Sequence, residues 1–332
     1  MILRRSALGR STVQVSELAF GAAGIGNLFT PVTDAEAEQA VHAAWEVGIR
    51  YFDTAPHYGL GLSEQRLGAA LRSRPRGEYV LSTKVGRVLD PAPTTGGDDL
   101  AHGFAVPATH RRRWDFSARG VRQSIEESLE RLGLDRIDIA YLHDPDDHAQ
   151  HALTQAYPEL ARLRAEGTLG AIGIGMNRTE LLTRFIRETD IDTVLLAGRY
   201  SLLDQSGLDE LLPLAADRGV GVVIGGVFNS GLLADPRPGA TFDYGTAPAH
   251  LVARALDLKS VCERHGVPLR AAALRFPFGH PAVASVLVGT RSAAEVRDTA
   301  TMLRHPVPDT LWADLKEHGL LPADVPTPKE AG

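Results

Sequence analysis

One cysteine, Cys262, among 332 residues leaves no partner for an intramolecular disulfide, so the fold must hold without one, as suits a reducing compartment. No apolar run reaches the length of a bilayer span, and the opening stretch MILRRSALGRSTVQVSELAFG carries no signal-peptide apolar region. A cytoplasmic protein with no membrane partner is expected. Positive charge is also in short supply. Lys and Arg number 35 against 41 Asp and Glu, a formal net charge of −6, which leaves no basic field to track a phosphate backbone and argues against nucleic acid as a partner. The one local basic run, Arg111, Arg112 and Arg113 before Trp114, reads as a solvated loop. With 44% hydrophobic and 23% charged residues, the chain can bury a substantial core.

Short apolar runs bounded by Gly or turn residues recur along the chain: VSELAF, IRYFDT, YVLSTK, IDIAYLH, LGAIGIG, DTVLLAG, VGVVIGG and AVASVLVG. They read as strands buried on both faces. Amphipathic runs with i, i+3, i+4 spacing alternate with them, among them DAEAEQAVHAAWEVG and TELLTRFIRE, and several close on a glycine C-cap. Eight such units predict an α/β fold of the (β/α)8 TIM-barrel type, since an open doubly wound sheet more often stops near six strands. No linker divides the chain, so a single domain over 1–332 is expected. A short N-terminal hairpin precedes it, PDTLWADLKEHG forms an extra C-terminal helix, and 319–332 reads as a loosely ordered tail. VLDPAPTTGGDDLAHGFAVPATHRRRW and VFNSGLLADPRPGATFDYG read as long loops leaving the third and seventh strands.

In such a barrel the active site lies at the C-terminal ends of the strands. Asp53 ends the second strand, Tyr58 follows in its loop, Lys84 ends the third strand and His143 the fourth. Taken singly, each has a plain reading: a packed tyrosine, a structural histidine, a buried Asp–Lys ion pair. Together they suggest chemistry. A phenol becomes a useful proton donor and acceptor near neutrality when an ammonium stabilises its phenolate; Lys84 would supply that charge, Asp53 would hold Lys84, and His143 would hydrogen-bond a substrate oxygen.

At these residues the sequence resembles the aldo-keto reductases, (β/α)8 enzymes that move a hydride between a nicotinamide cofactor and a carbonyl or alcohol carbon. The family tetrad matches Asp53, Tyr58, Lys84 and His143 in order. The likeness extends through SIEESLERLGLDRIDIAYLH and VLVGTRSAAEVRDTA. It implies Tyr58 as general acid/base, Lys84 lowering its pKa, Asp53 orienting Lys84 and His143 positioning the substrate. Two departures stand out. The Ser-Asn pair of many members is Met176-Asn177 here, with Ala197 in place of a Gln, and the tyrosine that stacks on nicotinamide falls at about Gly225. DTAPHYG, YLHDPD and GGVFNSGLL further resemble the D-threo-aldose 1-dehydrogenases, also called L-fucose or D-arabinose dehydrogenases, and the pyridoxal 4-dehydrogenases.

The resemblance implies a nicotinamide dinucleotide as cofactor, and several segments are candidates to hold it. Gly24 lies in FGAAGIG, which lacks the spacing of a dinucleotide fingerprint and reads as a tight turn bringing backbone to the cofactor. Asn177 follows the fifth strand; Gly226, Phe228, Asn229 and Gly231 follow the seventh. After the eighth, Gly289, Thr290 and Arg291 lead into a helix that carries Glu295 and Asp298, a natural phosphate site unless it is only a capped helix. A carboxylate at Glu295 would repel a 2′-phosphate and accept from ribose hydroxyls, so NAD is expected over NADP, with Arg291 as the competing influence. HDPDDH reads as a loop and not as a metal site; Asp144 and His57 are candidates to bind substrate hydroxyls. The expected activity is NAD(P)-dependent oxidation of an aldose or similar cyclic hemiacetal to its lactone. NADPH-dependent reduction of aldehydes or ketones is the alternative, and a cofactor-binding regulatory subunit or redox sensor is the alternative outside catalysis.

Overall fold

The computed structural model describes residues 3–92, 97–243 and 245–329. Eight strands close into a parallel barrel in chain order: Leu18–Gly21, Tyr51–Asp53, Val80–Val85, Ile139–His143, Ala171–Met176, Thr193–Ala197, Gly221–Gly225 and Val283–Gly289. The expected VSELAF strand divides. Gln14–Ser16 pairs antiparallel with Arg5–Ala7 in the N-terminal hairpin, and only Leu18–Gly21 enters the barrel. That hairpin closes the lower end of the barrel, where Leu8, Val13 and Val15 join the interior cluster.

Strand alternation decides which residues reach the interior. Phe20, Phe52, Leu81, Leu142 and Ile172 face outward and pack under the helices in the larger core cluster. Ala19, Tyr51, Ile139, Tyr141, Ala171 and Val223 face inward. Two residues beyond Tyr51 along its strand comes Asp53, and two beyond Tyr141 comes His143. Asp53 pairs in register with Ser82, and Tyr141 with Lys84. The candidate residues therefore form the top inward layer of adjoining strands, above a hydroxyl-rich layer of Tyr51, Ser82 and Tyr141.

Each barrel strand is followed by helix. Thr33 caps Asp34–Glu46 in a reciprocal box with Glu36, Ser117 caps Ala118–Leu132, and Gly133 closes the latter in the left-handed conformation. The fourth crossover contains a wide π turn at Ala152–Ala156 before Tyr157–Ala165. Asp309–Glu317 is the extra C-terminal helix, burying Leu311, Trp312 and Leu315.

Three expectations need correction. The run after the third strand is not an irregular loop: Arg87–Pro91 pairs antiparallel with His110–Trp114, and Asp98–Asp99 pairs with Phe104–Pro107. Arg112 within it is not solvated, being 9% exposed and paired with Asp99. The expected loose tail packs instead, at least through its described part to residue 329, because Leu321 and Val325 bury themselves and Pro326 lies against Gly279. Residues 330–332 lie outside the described residues. The loop after the seventh strand is largely irregular as expected, with one short strand pair, Thr241–Phe242 against Gly245–Thr246.

Candidate active site

Asp53 and Lys84 form an ion pair at 2.6 Å with side chains 2% and 3% exposed. Asp53 also accepts from the Ser82 hydroxyl at 2.6 Å, and Lys84 donates to the Thr54 carbonyl at 2.9 Å. Burial alone would depress the lysine, but the charge of Asp53 and hydrogen bonds to Asp53 and Tyr58 outweigh it and hold the ammonium above its ordinary value. The Lys84 Nζ lies 4.7 Å from the centre of the Tyr58 ring. Beneath them the Ser82 and Tyr51 hydroxyls lie 3.3 Å apart, and the Tyr51 and Tyr141 hydroxyls meet at 3.1 Å. Burial pushes the pKa of Tyr51 well up and that of Tyr141 up to about 12, so both remain neutral hydrogen-bonding groups.

Tyr58 depends on the glycine after it. Gly59 has a φ of +62°, and a Cβ there would sit 2.3 Å from the Gly26 carbonyl oxygen, so the turn closes against the first-strand loop only without a side chain. His143 stands at right angles to the Tyr58 ring, centroids 5.9 Å apart. Its Nε2 is 3.6 Å from Asp144, while its Nδ1 is buried with no hydrogen-bond partner among the described residues. Burial, with the charges of Arg87 and Lys84, keeps this imidazole neutral well below the usual range.

Asp144 sits beside this group, engaged by Arg87. Its φ of +43° is unusual for a residue with a side chain, and its N–H donates to the Gly175 carbonyl at 3.1 Å. Burial raises its pKa although Arg87 opposes that. Arg87 in turn stacks over Trp114, 4.4 Å from the ring centre. His57 faces His143, centroids 5.7 Å apart, and its Nδ1 and carbonyl both accept from Arg112. Arg87, Arg112 and Asp99 are site residues that the sequence reading missed. They belong to two strand pairs whose pairing has no apolar period to mark it, and the run of arginines looks like surface.

The HDPDDH side chains diverge: Asp144 goes to Arg87, Asp146 to Arg178, and His148 stacks by Trp114 and Phe116. No cluster of three metal-ligating side chains is found among the described residues.

On the same rim the candidate cofactor residues separate into groups. Gly289 is exposed, with open space where a Cβ would stand; Thr290 is buried, its Oγ1 unpartnered among the described residues. Ser292 caps Ala293–Arg304 by accepting from the Glu295 N–H at 3.2 Å. An exposed glycine, an orphaned hydroxyl and a helix N-terminus together fit a phosphate of a dinucleotide. Gly24 lies against this group. A Cβ there would lie 2.8 Å from the Thr290 carbonyl oxygen, so this glycine lets the first loop pack against Thr290 and Arg291. Glu295 accepts from the Arg291 N–H at 2.8 Å and stands 3.8 Å from its guanidinium. Asp298 is taken up by Arg270.

After the seventh strand, Gly226 has φ +65° and Gly231 +102°. Asn229 is buried and ties two loops together, accepting from the Ser201 hydroxyl at 2.6 Å and donating to the Gly198 carbonyl at 3.1 Å. Phe228 is half-buried against the core. Asn177 is exposed at the end of the fifth strand, and Gly225 has room for a Cβ, the nearest atom being Leu195 at 3.5 Å.

Fold and rim define an enzyme of the (β/α)8 class. Residues 17–319 match the profile described as the Aldo/keto reductase family. The chain belongs to that family and is an oxidoreductase using a nicotinamide cofactor. It is 48% identical over 313 residues to a D-threo-aldose 1-dehydrogenase of Pseudomonas sp, covering 93% of this chain and 95% of that one. To a pyridoxal 4-dehydrogenase of Microbacterium luteolum it is 42% identical over 337 residues, covering 96% and 98%. Among solved structures, the holo form of an aldo-keto reductase from Bacillus halodurans superposes with a TM-score of 0.75 at 27% identity, covering 97% of this chain and 98% of the other. No helix among the described residues is long and apolar enough to cross a membrane.

Proposed function

We propose that the enzyme oxidises the anomeric carbon of an aldose or a related cyclic hemiacetal to the lactone, with NAD preferred as the acceptor. The observation that carries this reading is the buried Asp53–Lys84 pair set against Tyr58 at the mouth of the barrel. The similarity to an aldose 1-dehydrogenase and a pyridoxal 4-dehydrogenase supports the choice of a hemiacetal over an open-chain alcohol.

Tyr58 takes the proton of the anomeric hydroxyl. The ammonium beside it favours the phenolate, and Asp53 keeps that ammonium charged and aimed. His143, held neutral, is suited to hydrogen-bond the reacting oxygen without competing for the proton. Thr290, Gly289 and the N-terminus of Ala293–Arg304 would hold the dinucleotide phosphate, with Glu295 near the adenosine ribose. The chemistry supplied by bound nicotinamide is acceptance of the hydride from the anomeric carbon.

The test is a panel of aldoses, pyridoxal and simple aldehydes assayed in both directions with NAD and NADP by nicotinamide absorbance. Oxidation of at least one cyclic hemiacetal with NAD is expected. Turnover confined to aldehyde reduction with NADPH would replace this reading with that of a reductase, and no turnover with any compound would favour a binding role.

A further inference from the structure

The inserted hairpin after the third strand brings a second charged group into the site. Arg112 donates through Nε to the His57 Nδ1 and through a terminal nitrogen to the His57 carbonyl at 2.9 Å. It is clamped from behind by Asp99, to which its two terminal nitrogens donate at 2.7 and 2.5 Å. Both side chains are buried, Arg112 9% and Asp99 5% exposed. Asp99 is shared with His102, whose Nδ1 is 2.9 Å away.

A guanidinium can only donate, so the His57 Nδ1 has to present its lone pair, and the one proton of a neutral ring must sit on Nε2. We propose that Arg112, braced by Asp99, is a positioning residue that fixes His57 as the Nε2–H tautomer, and that His57 thereby donates to a substrate oxygen other than the one served by Tyr58. This rests on the hemiacetal reading above. The oxygen would be a ring hydroxyl or the ring oxygen of the sugar, groups that a simple aldehyde lacks.

The surroundings of the ring support the orientation. The His57 ring sits beside the reacting groups, with centroids 5.7 Å from His143 and 6.1 Å from Tyr58. Phe104 and His102 pack edge-on with it, centroids 5.2 Å and 6.5 Å away. The surroundings also prevent a second proton from joining the ring. Burial dominates, and Arg87, Arg112, His102 and Lys84 add positive charge, so the pKa falls to about 2. Neighbouring Asp99 has its charge spent on Arg112, and His143 and Tyr58 complete the set facing this ring.

Imidazole nitrogen NMR on the full-length wild-type protein reads the tautomer without any substrate. An unprotonated, pyridine-type Nδ1 and a protonated Nε2 for His57 from pH 5 to 8 are expected; a proton on Nδ1 would overturn the proposal. Kinetics then test the consequence. In Arg112→Met the ratio of kcat/KM for an aldose to that for a simple aldehyde should fall about 10-fold or more, and the nitrogen spectrum of this variant should show His57 protonated in part on Nδ1. His57→Gln, which can place an amide N–H near the Nε2 position, should retain more of that ratio than His57→Asn, which cannot reach it. Equal ratios in wild type and all folded variants would refute the role of His57. If the wild type oxidises no aldose or other hemiacetal, the reading of the reaction fails and the substrate half of this proposal with it, while the nitrogen spectrum still decides whether Arg112 sets the tautomer.

Discussion

Lys84 donates to Asp53 at 2.6 Å in a setting where neither side chain is more than 3% exposed. Removing one charge of such a pair leaves the other buried and uncompensated, which typically costs about 3–5 kcal/mol. Asp53→Asn keeps the shape and the contact to Ser82 but strands the ammonium. Urea denaturation should show a loss of stability in that range at neutral pH, and the double variant Asp53→Asn with Lys84→Met should recover part of it. A double variant no more stable than Asp53→Asn would mean that the pair is not what the single substitution breaks.

Tyr58→Phe preserves the ring beside Lys84 and His143 and deletes only the oxygen that moves the proton. Turnover should fall by about 10² to 10⁴, the usual contribution of a general acid/base, while nicotinamide binding measured by fluorescence quenching stays close to that of wild type. Turnover at the wild-type level in a folded Tyr58→Phe protein would remove Tyr58 from the mechanism.

Lys84→Met tests the electrostatic half of the same arrangement. A cation beside a phenol lowers its pKa by favouring the anion, so losing the cation raises it. Residual oxidation should therefore move to more alkaline pH as well as fall in rate. A profile of residual activity that keeps its wild-type midpoint would assign Lys84 to structure alone.

The convergence of Asp53, Lys84 and His143 is legible in the sequence because each ends an apolar run, and the alternation of a strand carries the inward face of Tyr51 and Tyr141 on to Asp53 and His143. Arg112 is illegible for the opposite reason. Its partner His57 lies 55 residues away, and the intervening segment pairs as hairpins whose register depends on tertiary contact rather than on alternation in the sequence. The tail misleads in a related way. Leu321 and Val325 are too sparse to form a periodic pattern, yet each is buried in the larger core cluster. Glu295 is legible as a charge near the expected phosphate site, but its engagement by Arg291 depends on cap geometry that composition does not reveal.

His143 links the site to stability. Its folded pKa is depressed, by burial first and then by Arg87 and Lys84, below the ordinary value of 6.5 that the unfolded chain restores. Below pH 6.5 the unfolded state therefore binds a proton that the folded state does not, and stability falls as the pH falls. Each such histidine contributes a slope approaching about 1.4 kcal/mol per pH unit. Between pH 6 and 5, wild type should lose stability in urea more steeply than His143→Gln, by about 1 kcal/mol. Parallel curves would mean that His143 titrates normally in the folded protein.

The preference between dinucleotides should turn on Arg291 and Glu295. Glu295 accepts from the backbone of Arg291 and stands 3.8 Å from its guanidinium, so this candidate cation for a 2′-phosphate is already faced by a carboxylate. Both side chains are exposed, which makes the pair weak and easily rearranged. The carboxylate would repel the extra phosphate of NADP and suit the ribose hydroxyls of NAD. Wild type should accordingly show a higher kcat/KM with NAD. Glu295→Arg replaces repulsion with attraction and should improve NADP use about 10-fold or more, a change equivalent to about 1.4 kcal/mol. Glu295→Gln should give a smaller gain, because it removes the repulsion without adding a second cation beside Arg291. If wild type instead prefers NADP and Arg291→Ala reverses that preference, Arg291 reads the phosphate directly and Glu295 serves only to hold the Arg291 backbone.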